Sequence, residues 1–355
     1  MKKVTVLGGG GTGCTMAADL ALKGFDVTLW EDAGCWQNLR DIQEVGHVEL
    51  VGRGSTGTAV IPHLSDDLAS AVEGADVILV SMMATRHEAL AEALAPLLQE
   101  GQTVCFSAGN LGSMILKRAL GDKKGVITGE MQGNIFPCRL IGKAKISIAF
   151  PYAPKKVAAF PAKDTPALIE GMSGVYECVP ASNVLEATFN SPNTSIHLAG
   201  SLLNMGAVEK DPGYKMYAQG ITPGVCTCIE EVEKEKAAVM EVMGYPMVFH
   251  AGMMRKLLEP EEAHPELALF RVVAGPSSMK HRYIEEDATV GQTLLITLAR
   301  QYGIAVPTME ALVHIASVTN GKDYIAQGKS AAHFGWENMS PRQINEYLET
   351  GELPK

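Results

Sequence analysis

Apolar positions follow two different rhythms along this chain. Up to about Asn183, short apolar runs alternate with stretches whose apolar residues recur at helical spacing. Val4–Leu7, Val27–Trp30, Ala75–Met82, Thr103–Asn110 and Gly125–Glu130 read as strands. Gly13–Lys23 and Thr85–Gly101 read as helices between them. Ala75–Met82 is apolar almost throughout, the pattern of a strand covered on both faces. Strands alternating with helices predict parallel βαβ units.

Beyond Asn183 the helical rhythm takes over. Ser191-Pro192 reads as a cap and first helical residue, with a helix to about Met205. Thr222-Pro223 opens another, which stops at Gly244 as a C-cap glycine. Ala288–Tyr302 and Pro307–Val318 follow. Ser340-Pro341-Arg342-Gln343 fits a capping box before a last short helix. The expected division is therefore a dinucleotide-binding sheet domain over residues 1–183 and a helical domain over residues 184–355. A cleft between them, outside the carboxyl ends of the strands, is the expected place for chemistry.

The first strand runs into four consecutive glycines, Gly8–Gly11, then Thr12 and Gly13. Gly8-x-Gly10-x-x-Gly13 fits the dinucleotide fingerprint, and it stands between a strand and a helix as the motif requires. Gly8 suits a tight turn, Gly10 a close approach to pyrophosphate, and Gly13 close packing of helix on strand. The helix N-terminus offers N–H groups and a partial positive charge to phosphate. Glu31 ends the next strand, eighteen residues after Gly13. A carboxylate there accepts from the adenosine ribose and repels a 2′-phosphate, and Asp32 follows it. No arginine comes before Arg40, so NAD is favoured over NADP. A turn of this kind also serves FAD or a nucleotide-linked methyl donor. The fold class is α/β, a Rossmann doubly wound sheet followed by an all-helical C-terminal domain.

Composition narrows the partners. The net charge is -10 and no cluster of Lys and Arg occurs, which argues against nucleic acid and anionic membrane. No apolar run reaches the roughly 18 residues of a membrane helix. The short apolar stretch after Lys2 and Lys3 leads into glycines and not into a cleavage-site pattern. Seven scattered cysteines, without a C-x-x-C pair, read as reduced thiols in a cytoplasm. No metal site is expected.

In the helical half, Asn193 and His197 are four apart and share a helix face. His197 lies among Ile196, Leu198, Ala199 and Leu202, where it could be a satisfied core histidine or a proton donor tuned by a carboxylate. Arg282 and Asp287 stand just before the next helix. Asp287 reads as an N-cap. Arg282 could clamp a carboxylate or form a surface ion pair.

These residues carry a resemblance. The chain resembles the opine dehydrogenases, the octopine and nopaline dehydrogenase family. The match covers nearly the whole chain. It runs through the fingerprint, Asn134–Ile148, Asn183–His197, Tyr217–Lys236, Arg282–Asp287 and the terminal MSPRQINEYLETG. Asn-x-x-x-His followed by Arg-Tyr-x-x-Glu-Asp, behind a Rossmann domain, is the specific part. The resemblance implies NAD(P)-dependent condensation of an amino acid amine with an α-keto acid, a reaction on CH–NH donors. It implies His197 and Asp287 as the catalytic pair, with Arg282 and Asn193 as substrate-binding residues. The helical domain is expected to be of the 6-phosphogluconate dehydrogenase C-terminal type, and a homodimer is expected. The chain departs from the family at Ala288-Thr-Val-Gly291, where Val-Pro-Tyr-Gly is usual, and at Met82-Met83-Ala84, where Val-Pro-Ala is usual. His87 is assigned no catalytic role. The alternatives are an NAD(P)-dependent reductase of a simple 2-keto or 2-hydroxy acid and a non-catalytic NAD(H) sensor.

Overall fold

The computed structural model describes residues 2–353. Its strands, in chain order, are β1 (Lys3–Leu7), β2 (Asp26–Trp30), β3 (Val48–Gly52), β4 (Gly57–Ala59), β5 (His63–Ser65) and β6 (Val77–Val80). They continue as β7 (Thr103–Phe106), β8 (Ile127–Met131), β9 (Cys138–Gly142), β10 (Lys145–Ile148), β11 (Lys155–Ala159) and β12 (Cys178–Pro180). The described residues separate into two compact units, residues 2–188 with 348–352, and residues 189–347 with 353.

The first unit is built on a sheet in the order β12-β11-β8-β7-β6-β1-β2-β5. The pairs from β5 to β8 are parallel, and β11 runs antiparallel to β8. The central strands β1, β6 and β7 are buried almost throughout, as their largely apolar sequences require. The chain goes from β1 to one side through β2 and β5, then to the other through β6, β7 and β8. The order therefore reverses between β1 and β6, the switch point at which α/β sheets bind ligands.

The sequence reading did not anticipate a second sheet, ordered β4-β3-β10-β9. Its apolar residues Val48, Leu50, Ile146 and Ile148 join Cys14, Met16 and Ala17 in one core cluster. Cys14, Met16 and Ala17 belong to helix α1 (Gly11–Leu22), so this sheet covers that helix. The helix expected over Thr85–Gly101 is shorter. A 3-10 turn, Ala84–Arg86, precedes the α-helix His87–Leu94. Pro96 has no N–H to extend that helix, and its ring restricts Ala95.

The second unit is helical. Its main elements are α2 (Asn193–Leu202), α3 (Pro223–Met243), α4 (Arg282–Glu286), α5 (Thr293–Gln301), α6 (Pro307–Asn320) and all but the last turn of α7 (Pro341–Thr350). Thr222 caps α3, accepting the Val225 N–H at 3.3 Å, and Gly244 ends it at φ 80°. The capping box at α7 is formed: Ser340 Oγ accepts the Gln343 N–H at 3.3 Å, and Gln343 Oε1 accepts the Ser340 N–H at 2.9 Å. Pro192 caps α2, one residue later than expected. A separate helix, Met205–Lys210, follows α2.

Candidate functional site

The first candidate site is the turn that leaves β1. Gly8 has φ 111°, and a Cβ there would lie 2.5 Å from the Ser81 carbonyl oxygen beyond β6. A Cβ on Gly13 would lie 1.7 Å from the Gly8 carbonyl oxygen, so α1 can approach the turn only without a side chain there. Gly10 differs. A Cβ at that position would meet no atom within 4 Å, so the space in front of it is open. Gly10 is the N-cap of α1, and no side chain caps the helix. Its first turn, with Gly11 and Thr12, contains no acidic residue. The arrangement suits an anion held by backbone N–H groups at a helix N-terminus.

Glu31 follows β2 and turns toward this loop. Its Oε2 accepts the Gly9 N–H at 2.8 Å, and Oε1 accepts the Asp32 N–H at 2.9 Å. These bonds fix the carboxylate, and each oxygen keeps a second lone pair for a ribose hydroxyl. Asp32 is occupied as the cap of a short 3-10 turn. Reading arginines only along the chain missed Arg86, whose Nη1 lies 3.8 Å from Cys35 Sγ, four residues past Glu31. The open space at Gly10, the uncapped helix and the placed carboxylate together fit a dinucleotide.

Two other features stand near the carboxyl ends of the strands. His87 is buried, with Nε2 3.3 Å from the Met82 carbonyl oxygen and its ring edge-on to Phe106. The loop after β7 holds three non-glycine residues at positive φ, Ala108 (60°), Asn110 (46°) and Leu111 (64°). Such backbone persists only where its surroundings hold it. Here Glu130, wholly buried in β8, accepts Leu111 N–H at 3.2 Å, Ser113 N–H at 3.4 Å, Ser113 Oγ–H at 2.9 Å and Thr188 Oγ1–H at 2.7 Å. Burial raises its pKa, against the pull of these four bonds. No local sequence pattern announces this loop.

The second candidate site lies in the helical unit. His197, 4% exposed on α2, meets Asp287, 6% exposed, with Nδ1 2.8 Å from Oδ2. The imidazole is therefore not simply packed in hydrocarbon. Burial pushes the Asp287 carboxyl up to about 7, while the Arg282 guanidinium pulls it the other way. Asp287 is not an N-cap. It begins a π-helical turn, Asp287–Gln292, that joins α4 to α5 without a break. The cap of α4 is His281, whose Nδ1 accepts the Tyr283 N–H at 3.3 Å. Single π turns re-aim side chains and recur at functional sites. The altered Ala288-Thr289-Val290-Gly291 lies in this turn.

The sequence reading also missed Tyr283. Its ring stacks on the His197 imidazole, with centroids 3.6 Å apart and planes 12° apart. His281 packs edge-on to Tyr283, with ring centroids 4.7 Å apart and planes at 87°. Asp287 thus anchors one nitrogen of His197 while Tyr283 fixes its plane. Arg282 is partly exposed, and its ion pair with Glu286 is long, at 3.6 Å. Asn193 is the first residue of α2, one helical turn before His197. The structure brings His197, Asp287 and Tyr283 into contact and places Asn193 on the same helix as His197. Among the described residues, no group of three or more His, Cys, Asp or Glu is placed to hold a metal ion. No described helix is long and apolar enough to cross a membrane.

Residues 180–320 match the family model of the NAD/NADP octopine/nopaline dehydrogenase alpha-helical domain. Residues 4–114 match the model of ketopantoate reductase PanE/ApbA. An opine dehydrogenase of Arthrobacter sp. (strain 1C) is 28% identical, covering 98% of this chain and 99% of its own. Vitopine synthase of Allorhizobium ampelinum is 23% identical, covering 98% and 99%. Among solved structures, octopine dehydrogenase with NADH and L-arginine superposes at a TM-score of 0.70 with 17% identity, over 100% of this chain and 99% of that one. That likeness shows the fold.

Proposed function

From the chain's similarity to opine dehydrogenases, we propose that it is an NAD(H)-dependent enzyme that joins an amino acid amine to an α-keto acid. The product is a secondary amine, and the reverse reaction oxidises it. The observation that carries this reading is the His197–Asp287 bond at 2.8 Å, made by the residues the family motif designates. Residues 1–183 form the dinucleotide domain and residues 184–355 the substrate and catalytic domain in this reading.

The glycine turn with Thr12 would hold the pyrophosphate, and Glu31 would accept from the ribose. The cofactor, when bound, supplies the hydride. Arg282 holds a substrate carboxylate with paired N–H donors. Asn193 hydrogen-bonds the reacting centre or the keto acid. Because Nδ1 of His197 is bonded to Asp287, Nε2 is the nitrogen that exchanges protons with substrate. It protonates the hydroxyl of the carbinolamine as water leaves. On return it takes a proton from the water that adds to the iminium carbon. Asp287 holds the ring in orientation and stabilises the imidazolium.

Reduction of a simple keto acid is the competing chemistry, favoured by the ketopantoate reductase match over residues 4–114. NADH oxidation with pyruvate, glyoxylate or 2-oxoglutarate, with and without a panel of amino acids, separates the two. Consumption that depends on the amino acid supports the proposal, and equal consumption without it overturns it. A non-catalytic NAD(H) sensor is separated by the same assay, since it would consume none. The seven cysteines are free thiols, which supports a reducing cytoplasm. A homodimer is proposed and is read by sedimentation.

A further inference from the structure

A second buried polar cluster lies in the helical unit behind His197. Lys236 of α3 is wholly buried. Its Nζ donates to Ser195 Oγ at 2.8 Å and lies 3.4 Å from Thr194 Oγ1, both in the first turn of α2. Among the described residues, no carboxylate stands within ion-pairing distance of that ammonium. Glu233, on the same helix, spends its carboxylate on the His250 and Ala251 N–H groups at 2.7 and 3.0 Å. Gln292 closes the cluster from the other side. It ends the π turn that Asp287 begins, and its Nε2 donates to the Thr194 carbonyl at 2.8 Å. Its Oε1 is buried without a partner. The two elements touch closely here, because a Cβ on Gly291 would lie 2.5 Å from Thr194 Cγ2.

An ammonium without a counter-ion is a costly thing to bury. Leucine or methionine would fill the same space without that cost. The cost falls where the first turn of the helix carrying Asn193 and His197 meets the turn that Asp287 begins. We propose that Lys236 is a positioning residue for the reaction: it clamps the first turn of α2 through Ser195 and Thr194, and so sets Asn193 and His197 in register with Asp287. This rests on the catalytic reading of His197 given above. Burial lowers the Lys236 pKa to about 8, partly offset by Glu233, so the group remains mostly cationic near neutrality.

The test compares Lys236→Met, Ser195→Ala and Thr194→Val with Lys234→Met, whose lysine is exposed and pairs with Glu231. The first readout is the downfield Nδ1 proton resonance of the His197–Asp287 bond, identified by its loss in His197→Gln. Lys236→Met and Ser195→Ala are expected to shift or broaden it, and Lys234→Met to leave it unchanged. The second readout is kinetic. kcat is expected to fall roughly 10- to 100-fold in Lys236→Met, as for a small misplacement of reacting groups. NADH affinity is expected to stay within about twofold, since the dinucleotide turn lies in the other unit. Lys236→Met with Ser195→Ala should lose no more than Lys236→Met alone. If Lys236→Met does not fold, Ser195→Ala and Thr194→Val decide. An unmoved resonance with kcat within twofold in folded variants overturns the proposal. The resonance reports on the clamp even if no amino acid and keto acid pair supports turnover, a result that would instead overturn the proposed reaction.

Discussion

Nδ1 of His197 stands 2.8 Å from the Asp287 carboxylate, although ninety positions separate the two residues. The bond joins α2 to the π turn ahead of α5, and the stacked Tyr283 ring holds the imidazole plane. Removing either end should therefore act on proton transfer and leave the nucleotide turn alone. His197→Gln and Asp287→Asn are expected to lower kcat by about two to four orders of magnitude, the range for a positioned acid or base. NADH binding, measured by fluorescence titration, should change less than about twofold. Equal loss of binding would make the pair structural.

The same pair sets a pH dependence. The fold favours the protonated Asp287 carboxyl, so its contribution to stability is complete below about pH 4 and is lost as pH rises through about 7. The melting temperature of the wild type should fall across that upper range, and that of Asp287→Asn should fall less. In the reductive direction the pair must carry a proton. Its rate should decline as pH rises and the pair loses that proton, in the range about 7 to which burial pushes the Asp287 carboxyl. The oxidative rate should rise over the same interval. A reductive rate that climbs with pH would contradict the assigned role.

Two glycines of one motif should respond in opposite ways. A Cβ on Gly13 meets backbone at 1.7 Å, so Gly13→Ala should cost at least about 1–3 kcal/mol in denaturant unfolding. Gly10 has φ -72° and open space before it, so Gly10→Ala should leave stability unchanged or slightly raised. It should nevertheless weaken NADH binding at least tenfold or so, because the methyl group would occupy the space meant for pyrophosphate. Normal NADH affinity in Gly10→Ala would remove the dinucleotide from this turn.

Cofactor choice depends on Glu31. Its carboxylate is held by the Gly9 and Asp32 N–H groups and presents negative charge at the end of β2. Glu31→Ser should weaken NADH and strengthen NADPH, moving the ratio of kcat/KM values by roughly tenfold or more toward NADPH. Parallel assays with both cofactors check this. An unchanged ratio would mean that Glu31 does not face the ribose.

Tyr283 tests whether ring orientation matters. Tyr283→Phe keeps the stack on His197 and should retain kcat within about twofold. Tyr283→Leu removes it, with an expected loss of roughly 0.5–1.5 kcal/mol, or a few-fold to tenfold in kcat. Equal activity in both variants would show that Asp287 alone fixes the imidazole.

Local information determined much of this protein. The strand, glycine turn, helix and acidic residue all lie within the first 31 positions, and each is decided by neighbours in sequence: the apolar run of β1, the missing side chains at Gly8 and Gly13, and the carboxylate that ends β2. The family motif likewise marked His197, Asp287, Arg282 and Asn193. Tertiary structure decided the rest, because it depends on which distant segments pack together. The strands Val48–Gly52 and Cys138–Gly142 reveal their shared sheet only through β10, which pairs with both. Asp287 looks like a cap until α4, the π turn and α5 are seen as one continuous helical run. The Tyr283 stack, the Glu130 support of a strained loop and the Lys236 clamp each join residues that no spacing rule connects. A side chain's partner across a packed core is set by the whole fold, whereas its backbone state is set largely by itself and its neighbours.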